Sequence, residues 1–365
     1  MSFDNPRVTA LTNVRVFDGT GMTAPTTVVI DGAVLGGDAT GAEIVDAGGA
    51  FLLPGFIDAH IHTAGTESLL RLADHGVTTG LDMTTFPPDR VAALRKEPGG
   101  SDIRSSGTPV IGPGGPHSKL RGLAEAAVIT GPDQAVAVIA DRVAGGSDYI
   151  KIMLEAPGGG GPDAETATAV VAAAHARGLR VVAHATTVSA YRLALDTGVD
   201  VLTHVPLDAV VSPEDATRTA ELGRIVIPTL TMMEGIAARV GIPGGLERIL
   251  ATVANLHAAG VPVLAGTDAN TEPGVPFHPE HGTSLHHELE LLVAAGLTPT
   301  QALHAATTLP ADHFDLRDRG TITPGARADL ILLAANPLTD IRATRTLTRV
   351  WCAGVEHPRP ATGPS

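Results

Sequence analysis

Six side chains carry most of the chemistry this sequence can offer: His60, His62, Lys151, His184, His204 and Asp268. His60 and His62 close the run Phe-Ile-Asp-Ala-His-Ile-His at 56–62. On a strand, residues i and i+2 share a face, so both imidazoles are presented to one point, as a divalent cation requires of its first ligands. The lead-in at 52–59 is too apolar for an exposed strand, which places the pair at the buried end of a core element. Lys151 sits in the apolar run Tyr-Ile-Lys-Ile-Met at 149–153, in a chain whose other lysines are Lys96 and Lys119. An ammonium buried there is heavily desolvated and its pKa falls. Two readings stay open for it: pairing with a nearby acid such as Glu155, or a neutral amine that takes up carbon dioxide as a carbamate, an anion able to bridge two cations. His184 and His204 each follow a β-branched run, and Asp268 follows 264–267, where a carboxylate without a cation is costly. Singly, each histidine suits a hydrogen-bonded core position; together, in strand order, the six point to a metal site.

The elements that must position them follow from periodicity. Residues 8–17 alternate in polarity, 18–21 turn, and 27–30 precede the hairpin dipeptide Asp31-Gly32, so the first part of the chain reads as a small β module. From 56 onward apolar strands alternate with Ala-rich helices. Strands are expected at 56–62, 77–82, 108–112, 148–154, 180–184, 199–204, 225–230 and 262–268, with helices such as 163–177 and 186–196 between them. Gly76, Gly178, Gly198 and Gly260 stand where helices would end before the next strand. Eight parallel strands alternating with helices predict a (β/α)8 TIM-like barrel over 56–319, with a doubly wound open sheet as the structural alternative. No Gly-x-Gly-x-x-Gly follows the first strand to support a dinucleotide fold. Strands return at 321–322, 328–333 and 349–355, so a small β-sandwich domain is expected from both chain ends, 1–55 with 320–358, leaving 359–365 as a flexible tail. In the barrel architecture reactive side chains collect at the C-terminal strand ends, where the six residues fall.

Composition excludes several classes. The chain has 365 residues, a formal net charge of -14 and no Lys/Arg-rich run, which makes nucleic acid and anionic membranes poor partners. Aromatics make up only 3%, too few for a base-stacking surface. No uncharged apolar run spans a bilayer, residues 1–7 carry no signal-peptide pattern, and Cys352 is the single cysteine, so a reducing cytoplasm is the expected compartment. The expected partner is a small-molecule substrate; the β module leaves a homo-oligomer open.

Loop residues at the same barrel face complete the candidate set. His117, in the Gly-rich 112–117 segment, could polarise a carbonyl or be a plain loop histidine. Met232, Met233 and Glu234 follow the seventh strand and either line a cavity or begin a helix. His278 and His281 in the eighth loop could reach substrate, and Glu155 could bind an amine or pair locally. His75, His175, His257, His304 and His313 lie in helical stretches, where capping or solvated roles fit better.

These residues resemble the amidohydrolase superfamily of metal-dependent barrel hydrolases. The resemblance runs from Pro54-Gly55-Phe56-Ile57-Asp58-Ala59-His60-Ile61-His62 through Lys151, His184, His204 and Gly266-Thr267-Asp268. It continues through His281-Gly282, 285–289 and 323–330, segments most similar to the imidazolonepropionase- and prolidase-related branch. It implies a binuclear centre: His60, His62 and Asp268 on one divalent cation, His184 and His204 on the other, with N6-carboxylated Lys151 and a hydroxide bridging them. Zinc is the default for such N/O ligands, with manganese, cobalt or iron open. It further implies hydroxide attack on a carbonyl, with Asp268 as proton shuttle. The implied reaction is hydrolysis of an amide in a small molecule: an N-acyl amino acid, dipeptide or cyclic amide. The alternatives are a lactone, ester or organophosphate hydrolase on the same site, or a metal-holding scaffold without turnover. Three departures bear on substrate. Thr63-Ala64 follows His62, where dihydroorotases place an arginine; Ala185-Thr186-Thr187 follows His184, without the deaminases' glutamate; and the sixth strand reads Thr203-His204-Val205-Pro206 instead of the Glu-His-Gly of prolidase relatives.

Overall fold

The structure is a computed structural model describing residues 8–96, 100–119 and 123–358; residues 1–7 and the tail expected at 359–365 lie outside it. The first strands are β1 (Thr9–Val16), β2 (Thr26–Asp31), β3 (Val34–Leu35), β4 (Glu43–Asp46) and β5 (Phe51–Pro54). β2 and β3 form the hairpin expected around Asp31-Gly32, and the 18–21 turn is closed by Asp18 Oδ1 accepting the N–H groups of Thr20 and Gly21.

The chain then enters parallel pairing. β6 (Phe56–Ile61), β7 (Val77–Asp82) and β8 (Asp102–Ser105) form a three-stranded sheet in that order. β9 (Ile150–Met153), β10 (Val181–His184), β11 (Val201–Thr203) and β12 (Ile225–Ile227) form a four-stranded one. Every residue of β6 and β7 is buried, which is why these strands read as continuous apolar runs instead of alternating. Helices separate the strands. Ala164–His175 and Val188–Thr197 start where Asp163 and Thr187 accept backbone N–H groups, and their returns use left-handed Gly178 (φ 70) and Gly198 (φ 84).

Three expected strands differ. Residues 108–112 form only isolated bridges, Val110 with Ile152 and Ile111 with Val128. The regular third strand is β8 instead, whose charged sequence concealed it: Asp102 is ion-paired to buried Arg319 at 2.7 Å. The seventh strand stops at Ile227, because Pro228 and left-handed Thr229 (φ 48) turn the chain into the helix Leu230–Val240. Residues 262–268 make no ladder. Val263 bridges Val226, Ala59 N–H donates to Ala265 O, and Ile61 bridges Ala269, so this segment still lies between β12 and β6 before left-handed Asp268 (φ 58) breaks the extended path.

At the far end come β13 (Leu330–Leu333), β14 (Leu347–Cys352) and β15 (Val355–Glu356). The 321–322 stretch is not a strand. β13 pairs with β5, so strands from both chain ends share one eight-stranded sheet, ordered β15-β14-β13-β5-β1-β2-β3 with β4 on β1. Leu11, Val14, Leu52, Leu330 and Trp351 form the core of this sheet. Among the described residues no helix is long and apolar enough to cross a membrane.

Candidate metal and catalytic site

β6 carries His60 and ends just before His62; β9 carries Lys151; β10 ends on His184; His204 follows β11; Asp268 follows the segment bridged to β12. All six line one cavity of about 510 Å3. Asp268 Oδ1 lies 3.0 Å from His62 Nε2 and 3.3 Å from His60 Nε2, and Asp268 Oδ2 lies 3.8 Å from His204 Nδ1. Ring centroids are 4.9 Å apart for His60 and His204, and 4.7 Å for His204 and His184. The ligand atoms of His60, His62 and Asp268 all fall within 4.8 Å of one another.

Two threonines that the sequence reading missed orient these rings. Thr203 Oγ1 is 2.7 Å from His60 Nδ1, and Thr229 Oγ1 is 2.7 Å from His204 Nδ1. A partner on Nδ1 fixes ring orientation and leaves Nε2 as the free ligand atom. Buried Asp58 accepts from His60 N–H, Thr267 N–H and Thr267 Oγ1, tying β6 to the segment that carries Asp268. Buried Glu288 accepts from the N–H groups of Leu230 and Thr231, anchoring the helix start that holds Thr229 left-handed. Burial pushes the Asp58 carboxyl up to about 7 and the Glu288 carboxyl up to about 8. Neither tie has a local sequence signature, because Asp58 reaches Thr267 and Glu288 reaches Leu230 and Thr231 far away in the chain.

Electrostatics of the cluster are those of an unneutralised donor set. Burial holds the His60 and His184 imidazoles well below their usual range and His204 at about 3, so all three are neutral and have lone pairs to give. Burial alone would raise Asp268; the imidazoles of His60 and His62 against it outweigh this and keep it ionised. Lys151 is 1% exposed and burial brings its amine down to about 7. No carboxylate among the described residues lies within ion-pair distance of it. Glu155 pairs with His117 instead, at 3.2 Å, so the local acid partner considered for Lys151 is not formed.

The remaining candidates divide. His117 lines the cavity, stacks edge-on against His184 at 4.9 Å and, with Glu155 and His184, makes a second trio of clustered ligand atoms. Met232 and Met233 line the cavity from the first turn of Leu230–Val240, satisfying both readings offered for them. Three residues do not reach it. Glu234 bonds His287 at 2.6 Å, exposed His278 bonds Asn270 at 2.8 Å, and buried His281 supports the His62 carbonyl from behind at 3.0 Å. For His278 and His281 this corrects the expected substrate contact: backbone and amide acceptors beside them take their ring nitrogens. Arg90, in the helix Asp89–Leu94, lines the cavity and was missed, since an arginine in a short polar segment carries no signal.

The donor set fits divalent cations. It holds the neutral imidazoles of His60, His184 and His204, an ionised carboxylate that holds the His62 imidazole's pKa up, a buried amine without an acidic partner at ion-pair distance among the described residues, and a buried His60 Nε2 that makes no hydrogen bond. The amidohydrolase family model matches residues 51–356, and the chain belongs to this family of hydrolases. It is similar to the imidazolonepropionase of Deinococcus deserti, 33% identical over 127 residues, which are 34% of this chain and 29% of that one. It is also similar to the adenine deaminase of the same organism, 30% identical over 326 residues, 84% of this chain and 52% of that enzyme. The chain thus spans about half or less of these two relatives. Its mixed α/β fold matches the crystal structure of a Xaa-Pro dipeptidase with bound methionine, with a TM-score of 0.82, 22% identity and coverage of 96% and 99% of the two chains.

Proposed function

We propose that this protein is a metal-dependent hydrolase of carbon–nitrogen bonds that cleaves an amide in a small molecule, on a centre of two divalent cations. His60, His62 and Asp268 would hold one cation, His184 and His204 the other, and carboxylated Lys151 would join them. The observation that carries the reading is the convergence of these six residues on one cavity, with a buried lysine that has no anion of its own. In this reading residues 56–319 are a (β/α)8 barrel. The parallel sheets and the bridges Val110–Ile152, Val226–Val263 and Ile61–Ala269 support it. The shared sheet of the two chain ends supports a separate small β domain, a sandwich over 1–55 and 320–358.

Bound cations supply acidity to water and polarise a carbonyl oxygen. Everything else falls to the chain. Thr203 and Thr229 hold the rings of His60 and His204 with Nε2 free. Asp268, ionised and touching both histidines of the first trio, accepts the proton of water at a carboxylate oxygen and returns it to the leaving nitrogen. The amide C–N bond breaks, oxygen adds to the carbonyl carbon, and a carboxylate and an amine leave. His117, fixed by Glu155 and packed against His184, lines the cavity where it can reach a bound substrate. Met232, Met233 and Phe86 add apolar surface to the cavity, which suits an uncharged side chain.

The test is metal-loaded enzyme against N-acyl amino acids, dipeptides, cyclic amides and lactones, with products followed by mass spectrometry. Amine release from one amide class, at about two metal equivalents per chain, is the expected result. Turnover of lactones or esters alone would replace this reading with ester hydrolysis. Silence on all substrates together with tight metal binding would leave a scaffold.

A further inference from the structure

Outside the metal-type cluster, the charged groups lining the cavity among the described residues are Arg90 and Glu272. The Arg90 guanidinium is held across the mouth by two backbone acceptors. Nη2 donates to Ala64 O at 3.1 Å, beyond the end of β6, and Nη1 donates to Phe86 O at 3.4 Å, beyond the end of β7. Two of its five N–H groups are thereby used and the fork is aimed without being neutralised. No carboxylate among the described residues lies within ion-pair distance of it. Asp82, the acid at the end of β7, is already taken by Thr63 N–H, Thr85 Oγ1 and Ser105 Oγ. Glu272 enters from the loop after Asp268 and is not paired with Arg90 either. By contrast, deeply buried Arg319 contacts Asp102 at 2.7 Å and Asp318 at 2.9 Å. An oriented guanidinium with no acidic partner among the described residues, in a cavity lined by threonines and by apolar side chains such as Phe86, Met233, Ile236 and Val275, is a receptor for a planar anion.

We propose that Arg90 binds a carboxylate of the substrate, so that the preferred amides are anionic. This deepens the amide-hydrolase reading and rests on it for the position of the scissile bond. The backbone carbonyl of Ala64, two residues past His62, is one of the acceptors on which Arg90 rests. The carboxylate can belong to the amine half, as in an N-acyl amino acid, or to the acyl half, as in the mono-amide of a dicarboxylic acid. Both present the same group to the same fork.

The experiment compares wild type, Arg90→Met and Arg90→Lys on three probe sets: N-acetyl amino acids, their neutral N-methylamides, and mono-amides of dicarboxylic acids. Wild type is expected to prefer one acid set over the neutral amides. Losing a charge-assisted bidentate contact should lower kcat/KM for that set by about 10- to 100-fold in Arg90→Met, mostly through KM, with Arg90→Lys between the two. The neutral amides should be unchanged, and whichever acid set responds locates the carboxylate. Equal losses on acids and neutral amides, or no loss on either, would overturn the proposal while leaving amide hydrolysis standing. Calorimetric titration with N-acetylleucine and its methylamide separates the two failures. If no amide is cleaved but N-acetylleucine binds to wild type and not to Arg90→Met, the hydrolase reading falls and the carboxylate site stands. If no acid probe binds better than its amide, the site is refuted whatever the reaction. Unchanged thermal unfolding of both variants, expected of an exposed side chain, confirms that binding and not folding was altered.

Discussion

Replacing Lys151 by Met removes the amine while keeping a long apolar side chain in the space between β10 and the cavity. The magnitude follows from its burial. A drop from 10.5 to about 7 means that keeping the ammonium charged in that site costs about 5 kcal/mol. At neutral pH about half of the metal-free protein therefore carries a free amine, against roughly three in ten thousand for an ordinary lysine. Since carbamate forms from the amine and not from the ammonium, the fold itself raises the reactive fraction about a thousandfold. The sign of the pH dependence is fixed. Between pH 7 and 10.5 the unfolded chain holds a proton that the folded chain has lost, so metal-free stability rises with pH across that window. Lys151→Met should accordingly be more stable than wild type at pH 6 by a few kcal/mol, and the gain should fade toward pH 10.

Three measurements check this account. Urea unfolding of the metal-free proteins at pH 6 and pH 9 gives the stability difference. Reconstitution in 13C-bicarbonate gives one labelled carbamate resonance in wild type and none in Lys151→Met, forming faster as pH rises through 7. Elemental analysis gives the metal content, expected to fall in the variant together with turnover. A variant that keeps both its metal content and its rate would refute the bridging carbamate. A stability difference that does not change with pH would refute the premise that Lys151 is buried without an anion.

Further outcomes follow from the same geometry. Asp268→Asn should lower kcat by about 10²- to 10⁴-fold while part of the metal remains, because the amide cannot accept the proton of water; steady-state kinetics beside elemental analysis decide it. Thr203→Val removes the hydroxyl that bonds His60 Nδ1 and should weaken metal affinity or activity by about 10- to 100-fold, read by competition with a chelator; unchanged affinity would mean that β6 packing alone orients the ring. Gly160→Ala would drive a Cβ into the Gly115 backbone N–H at a left-handed position (φ 87), so the 112–115 and 158–161 segments must part. Since these segments flank His117 and Glu155, KM should rise with the metal content intact; an unaltered KM would disconnect the loops from substrate.

What could be read in the sequence was whatever burial writes locally. β6, β7, β9, β10, β11 and β12 each bury both faces, so each appears as an apolar run, and a histidine or lysine inside or at the end of such a run is conspicuous. The metal-type residues were therefore found, and their convergence followed from strand order. β8 failed this test because its half-buried Asp102 is held by Arg319, more than two hundred residues away, as well as by neighbouring Arg104, and no local pattern announces the distant partner. The segment at 262–268 failed in the opposite way. It is apolar enough to be a strand, but its pairing is split between single contacts to β12 and β6, so that Asp268 can leave the extended path and turn toward the histidines.

The residues that escaped altogether are those whose role is to satisfy something. Thr203 and Thr229 are read as β-branched strand ends, yet their hydroxyls set the ring planes of His60 and His204. Glu288 looks like one more acid in a helix, yet it closes the N–H groups of Leu230 and Thr231 and thereby holds Thr229 in place. Arg90 differs from these in one respect: its guanidinium has backbone acceptors but no anion, and an aimed charge left without its counterpart is a feature of binding more than of folding. Hydrophobic periodicity thus locates the clustered histidines, lysine and aspartate of such a cavity, while polar groups such as Thr203, Glu288 and Arg90 have partners that become visible only when distant segments are brought together.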